Sequence, residues 1–229
     1  MRPLAVALSA ASATVAVLAG CSPETPPGPT EPTPTVGAQA ASAPVNPERI
    51  RRVRAELPAD YEVADVGGYA STPVAFWGFG HGYSAQPPQC GALVDPAPDG
   101  PASGLSASGP GGILHVVVVN AAAAPVALDP VLLGECRQWA MSYGRSTAEV
   151  SLVDAPVIAG AATVGLAGAI LNVVESGTET ASRADTFMAC LDEHVVFVTL
   201  VTDPGSVEPP LSPQFASDLL VKTVATLRG

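Results

Sequence analysis

Three histidines and four cysteines are the residues of this chain best suited to chemistry, and their spacing limits what that chemistry is. His81, His115 and His194 are far apart, and none lies in an H-E-x-x-H or H-x-H pattern. Surface or strand-end positions are the usual fate of such histidines, so no metal is expected. Gly80-His81-Gly82-Tyr83-Ser84-Ala85 fits G-x-G-x-x-A, the spacing of a dinucleotide-binding turn. That chemistry needs a helix directly behind the glycines. Gln86-Pro87-Pro88 starts a new turn there instead, and the glycines read as a bend or bulge. Gly104-Leu105-Ser106-Ala107-Ser108-Gly109 misses the G-x-S-x-G nucleophile elbow by one position, and a strand rather than a helix follows it. The acids sit mostly at helix starts and turns, such as Asp129 and Asp203, and yield no acid–base pair. The expectation is no catalytic residue and no cofactor.

The fourth cysteine stands elsewhere. Leu18-Ala19-Gly20-Cys21 closes an apolar stretch that opens on Arg2, with a proline-rich run behind it. The stretch from Pro3 to Gly20 is interrupted by Ser9, Ser12 and Thr14, and is marginally short against the ~20 residues of a membrane-spanning helix. One positive charge, an Ala/Val/Leu segment and small residues at its end describe an export signal. The four residues resemble the lipobox of bacterial lipoproteins. The resemblance implies cleavage between Gly20 and Cys21 and acylation of the Cys21 thiol. Residues 1–20 are then a lipoprotein signal peptide, and the mature protein is anchored to a membrane it does not span.

Residues 21–45 carry that lipidated cysteine and a disordered tether. Ser22 to Pro47 holds eight prolines and hardly a large apolar side chain, so ordering entropy is not offset by burial. Extended as polyproline II, the stretch reaches up to roughly 80 Å. The 184 residues from Asn46 to Gly229 suffice for one domain with a true core. Without Arg2, nine Lys/Arg face twenty-one Asp/Glu, a net charge of −12 (9 − 21). Such a balance argues against nucleic acid, whose binding rests on neutralising phosphates, and against an anionic lipid surface. Arg49, Arg51, Arg52 and Arg54 are the local exception; they read as the solvated face of a first helix, with headgroups or an acidic glycan as the alternative.

With Cys21 acylated, Cys90, Cys136 and Cys190 permit one bond and one free thiol, in three ways. Outside the cytoplasm thiols tend to pair. Cys90 lies at the rim of a proline-rich loop and Cys136 on a helix that could pin it, so Cys90–Cys136 is the expected pair. Cys190 is then a buried free thiol, with no neighbouring pattern that would activate it.

These residues need elements to position them. Asn46-Pro47-Glu48 starts a helix whose Ile50, Val53 and Leu57 form one stripe. Tyr61 to Val66 reads as a strand, and Ala75 to Tyr83 as a second, irregular one. Residues 84–112 predict a short helix near Cys90 to Val94 and a disordered loop through Gly104. Ile113 to Val119 reads as a strand covered on both faces. Asp129-Pro130 starts a helix that places Leu132, Cys136, Trp139 and Tyr143 on one face and ends at Gly144. Trp139 beside Cys136 is then an indole over a disulfide, with ligand stacking as the minor reading. Val150 to Val153, Val164 to Val174 and Val195 to Thr202 read as strands; Ala184 to Leu191 fits strand or helix, and the short Asp192-Glu193 turn before a strongly β run favours the first arm of a hairpin. Ser212-Pro213 opens the last helix. The fold class is α+β, a mainly antiparallel sheet with flanking helices, in a single domain over 46–229.

Gln86-Pro87-Pro88-Gln89-Cys90, Ser106-Ala107-Ser108-Gly109, Cys136-x-x-Trp139, Val201-Thr202-Asp203-Pro204-Gly205 and Leu219-Leu220-Val221-Lys222-Thr223, behind Cys21, together resemble a family of mycobacterial cell-envelope lipoproteins. Its C-terminal domain has no assigned function. More distantly the architecture is similar to the extracellular sensor domain of mycobacterial receptor serine/threonine kinases, an α+β fold with two disulfides and a cleft read as a ligand site. This chain departs from it in having cysteines for only one disulfide besides Cys21. The resemblance implies an extracytoplasmic, membrane-anchored lipoprotein; the absence of a catalytic constellation, in a tethered domain with a long loop, points to a non-catalytic ligand-binding or sensor-like domain. The alternatives are a scaffold docking another envelope protein and, third, a hydrolase of cell-wall material.

Overall fold

The structure is a computed structural model that describes residues 43–68, 72–98, 100–121, 128–191 and 193–229. The expected signal peptide, Cys21 and nearly all of the expected tether lie outside the described residues. The rest is an α+β fold built on one nine-stranded, wholly antiparallel sheet. Its strands are β1 (Glu62–Gly68), β2 (Ser84–Gln86), β3 (Ala102–Gly109), β4 (Gly112–Asn120), β5 (Gln138–Tyr143), β6 (Ser146–Val153), β7 (Ala162–Val173), β8 (Glu179–Leu191) and β9 (His194–Thr202). Their order across the sheet is β1-β3-β4-β9-β8-β7-β6-β5-β2. Two 3-10 helices, η1 (Pro47–Glu56) and η2 (Pro88–Leu93), and three α-helices, α1 (Pro73–Phe76), α2 (Pro130–Glu135) and α3 (Pro213–Arg228), flank it.

Central strands bury both faces, because two separate cores need them. On β4, Leu114, Val116 and Val118 face a core shared with η1 and α3, including Ile50, Val53, Leu220 and Val224. The alternate Val117 and Val119 face the other core, with Trp77, Phe79, Leu93 and Trp139. Period-two alternation sends successive side chains to opposite layers, so a near-continuous valine run is the pattern such a strand requires. The cap residues act as expected. Asn46 accepts from the Glu48 amide at 3.0 Å, Asp129 from Val131 at 2.8 Å and Ser212 from Phe215 at 3.2 Å.

Three expectations are corrected. Ala75 to Tyr83 is not a strand: Pro73 fixes a helical start, α1 runs to Phe76, and the chain turns through Gly78 (φ +87°). The stretch through Gly104 is not a loop but β3, paired with β4 from Ala102↔Val119 to Gly109↔Gly112. Its small residues carry little strand propensity, yet close approach demands them, since a Cβ at Gly104 would fall onto the Val116 carbonyl. The third correction is the helix through Tyr143. It stops at Glu135, Cys136 caps it, and Trp139 sits on β5 opposite Val150 of β6. Trp139 and Met141 satisfy a period of two, while Trp139 also fits the helical stripe of Leu132 and Cys136, and the complementary hairpin partner β6 decides for the strand. Gly144, at φ +56°, is therefore the hairpin turn and not a helix stop. The β8–β9 hairpin, the Ile113–Val119 strand and the terminal helices stand as read, η1 in the tighter 3-10 form.

Candidate functional site

The short pairing of β2 with β5 creates the most site-like feature of the domain. Ser84 lies opposite Ser142, their hydroxyls 2.8 Å apart, so the same end of the pair carries Tyr83 and Tyr143. Between α1 and β2 the chain passes through Gly78, Gly80 and Gly82, and Gly78 and Gly82 hold positive φ angles that side chains resist. Gly80 serves differently. A Cβ there would lie 2.5 Å from the Tyr143 hydroxyl oxygen, so the bare backbone lets the phenol lie across the loop. The result is a cavity of about 330 Å³, with Val74, Phe79 and Pro98 supplying apolar wall and Thr72, His81, Tyr83, Asp95 and Tyr143 the polar groups. That volume falls at the lower end of ligand sites.

The Tyr83 hydroxyl donates to the Gly91 carbonyl at 3.0 Å. Burial pushes its pKa up to about 12, and the charge of Asp95 adds to the rise. Tyr83 is thus a fixed, protonated phenol at neutral pH. His81 is exposed at the rim of the cavity. A larger depression of about 640 Å³ lies between η1 and the β1–β3 edge, lined by Arg51, Asp65, Gly67 and Ser103. It is a polar surface groove. The arginines there behave as a solvated face: Arg51 and Arg54 approach Asp65 at 3.8 and 3.5 Å, Arg54 donates to the Val63 carbonyl, and Arg49 to that of Leu227. Exposed pairs of this kind contribute little.

The remaining sequence candidates fall apart from this cavity. His115 is in the middle of β4, opposite Ser106 of the G-L-S-A-S-G segment, and the two form no hydrogen bond. Its ring stacks on Phe76, and burial alone pushes its pKa down to about 4, with no carboxylate contributing. His194 begins β9 opposite Asn120. Among the described residues no group of three His, Cys, Asp or Glu is placed to hold a metal ion. Cys90 and Cys136 form a disulfide, Cα atoms 5.5 Å apart, joining η2 to the end of α2. Cys190 is free and half-buried on β8, and burial pushes its thiol up to about 12. Trp139 is 3% exposed in the same core cluster as the disulfide, and does not line the cavity. Asp95 escapes the sequence reading, and Gly80, Tyr83 and Tyr143 read there as a bend and a helix face rather than as parts of one site; the signal they offer is tyrosines beside glycine-rich turns.

No helix among the described residues is long and apolar enough to cross a membrane. No curated protein matches the chain. A solved structure that does is the crystal structure of an uncharacterized Rv0999 ortholog from Mycobacterium smegmatis. It is 19% identical, with a TM-score of 0.62, and the match covers 84% of this chain and 100% of that one, which shows a shared fold. A family model matches residues 46–228, from the Asn46 that caps η1 almost to the end of α3, and the chain belongs to that family, described as Domain of unknown function (DUF5642).

Proposed function

We propose that the protein is an extracytoplasmic lipoprotein of the cell envelope, anchored through acylated Cys21, whose α+β domain binds a small ligand without transforming it. The observation that carries the binding role is the cavity under Tyr143, kept open by Gly80 and furnished with two phenols and one carboxylate on an apolar wall. Few polar groups on an apolar wall is how sites that orient a ligand are built. The Cys90–Cys136 bond supports the address, because structural disulfides persist in oxidising compartments. The mycobacterial lipoprotein family and, more loosely, the kinase sensor domains have the same plan of a tethered domain offered to the envelope.

Two measurements test the two halves. Acylation is tested by detergent-phase partitioning of the wild type and Cys21→Ala: the variant moves to the aqueous phase, and unchanged partitioning removes the anchor. Binding is tested by native mass spectrometry and crystallography of protein purified from its own envelope. A ligand seated against Tyr83 and Tyr143 is expected. A reproducible protein partner on another surface, with an empty cavity, would replace binding by docking.

A further inference from the structure

We propose that the cavity selects a cationic ligand, a small amine or quaternary ammonium carried on an apolar or aromatic body. This rests on the reading of the cavity as a ligand site. Its described lining includes no lysine or arginine; the exposed His81 stands at the rim, and the one carboxylate, Asp95, is half-buried beside Val74, Phe79 and Pro98 of the same lining. An acid in such a place repels anions and attracts cations more strongly than it would in bulk solvent. Asp95 acts over this distance already, since its charge helps to raise the pKa of Tyr83.

The phenols agree with that sign. Tyr83 spends its single proton on the Gly91 carbonyl, so toward the cavity it presents oxygen lone pairs and a ring, both electron-rich. Tyr143 brings a second ring to the wall. Aromatic faces attract ammonium groups by their quadrupole, and do so best where water is excluded. Val74, Phe79 and Pro98 supply apolar surface for the body of the ligand. The net negative charge of the whole chain, −11, favours the approach of a cation as well.

The test uses three probes of one shape and different charge: benzylamine, benzyl alcohol and benzoate. Each is titrated at pH 7.5 into the isotopically labelled protein and followed by amide NMR. Benzylamine is expected to shift the amides of residues 78–83 and 143 and to bind at least tenfold tighter than benzyl alcohol, with benzoate weakest. Asp95→Asn should abolish the preference and leave the alcohol unchanged; should that variant not fold, the ordering on the wild type decides alone. Equal binding of amine and alcohol, or tightest binding of benzoate, overturns the cation preference and keeps the ligand site. Absence of shifts around Tyr83 and Tyr143 with all three probes overturns both.

Discussion

Phe76 and His115 stack with ring centroids 4.0 Å apart and planes inclined by 22°. One is the last residue of α1, whose Val74 and Ala75 line the cavity; the other sits midway along β4, the third strand of the sheet. The imidazole Nδ1 is buried and makes no hydrogen bond. Its cross-strand neighbours are Ser106 and Thr199, neither of which carries a charge. The stack therefore holds α1 against the sheet with a neutral ring whose protonation is opposed by burial, with no carboxylate contributing.

That arrangement sets an acid dependence. Burial lowers the His115 pKa from 6.5 to about 4, so between those values the unfolded chain binds the proton more readily than the folded one. Stability from this group is complete above pH 6.5 and is lost as pH falls toward 4. The loss is at most about 3 kcal/mol, since each tenfold difference in proton affinity is worth about 1.4 kcal/mol. Urea denaturation at pH 7.5 and 4.5 checks it: His115→Gln should be less stable at pH 7.5 yet lose less on acidification, because other groups titrate alike in both proteins.

How far the sequence shows this structure depends on whether a residue's partner is local. Asn46 and Ser212 are legible because a cap bonds two or three residues ahead. The valines of β4 are legible because burial on both faces needs apolar side chains at every step. β3 is not, since Ser103, Gly104, Ser106 and Ser108 become a strand through what β4 and β1 offer them. Trp139 fits both periods, and only β6, after the turn, tells them apart. The cavity is hidden for the same reason. Tyr83 and Tyr143 meet through a strand pairing across 58 residues, and Gly80 matters only once Tyr143 lies over it. The disulfide was within reach because three cysteines leave few choices.

Removing that disulfide should be costly. Cys90 and Cys136 are 46 residues apart, and closing such a loop restricts the unfolded chain by about 4 kcal/mol in the chain-entropy model. Both cysteines are fully buried, which limits repair by water. A Cys90→Ala/Cys136→Ala double variant is expected to lose about 2–5 kcal/mol by urea denaturation. A loss below 1 kcal/mol would mean that η2 and α2 are held by packing alone.

Cys190 should be chemically quiet. With its thiol pushed up to about 12 by burial, the thiolate fraction at pH 8 is about a thousandfold below that of an unperturbed thiol. In a Cys21→Ser protein, Ellman's reagent is expected to leave the native state nearly untouched and to titrate one thiol in 6 M guanidinium. Rapid native labelling would show that β8 opens at Cys190.

Two glycines should respond to alanine differently. At Gly111, φ is +78° and the added Cβ would meet the backbone of Pro209 and Pro210, so neither partner can retreat. A cost of about 2–3 kcal/mol is expected. At Gly80 the obstacle is the Tyr143 ring, 39% exposed and free to swing outward. Stability should fall by less than about 1 kcal/mol there, while the wall of the cavity is lost. Thermal melts together with benzylamine titration separate the two cases.

The polar chain from Trp77 into the sheet gives the most demanding prediction, because its members should not add. Trp77 donates its indole N–H to the Thr186 hydroxyl at 3.0 Å, and that hydroxyl lies 2.8 Å from the hydroxyl of Thr199. Thr186 and Thr199 are fully buried and Trp77 nearly so. Thr186→Val keeps the shape of the side chain but strands the indole N–H, and a buried unsatisfied donor costs about 1–3 kcal/mol. Trp77→Phe removes the donor and leaves a gap against Gly168, whose Cβ position lies 3.0 Å from the indole ring. In the double variant no N–H remains to be stranded, so its loss should fall short of the sum of the single losses by about 1 kcal/mol or more. Strict additivity would mean that water replaces Thr186 at the indole, and that this end of α1 is wetter than its burial implies.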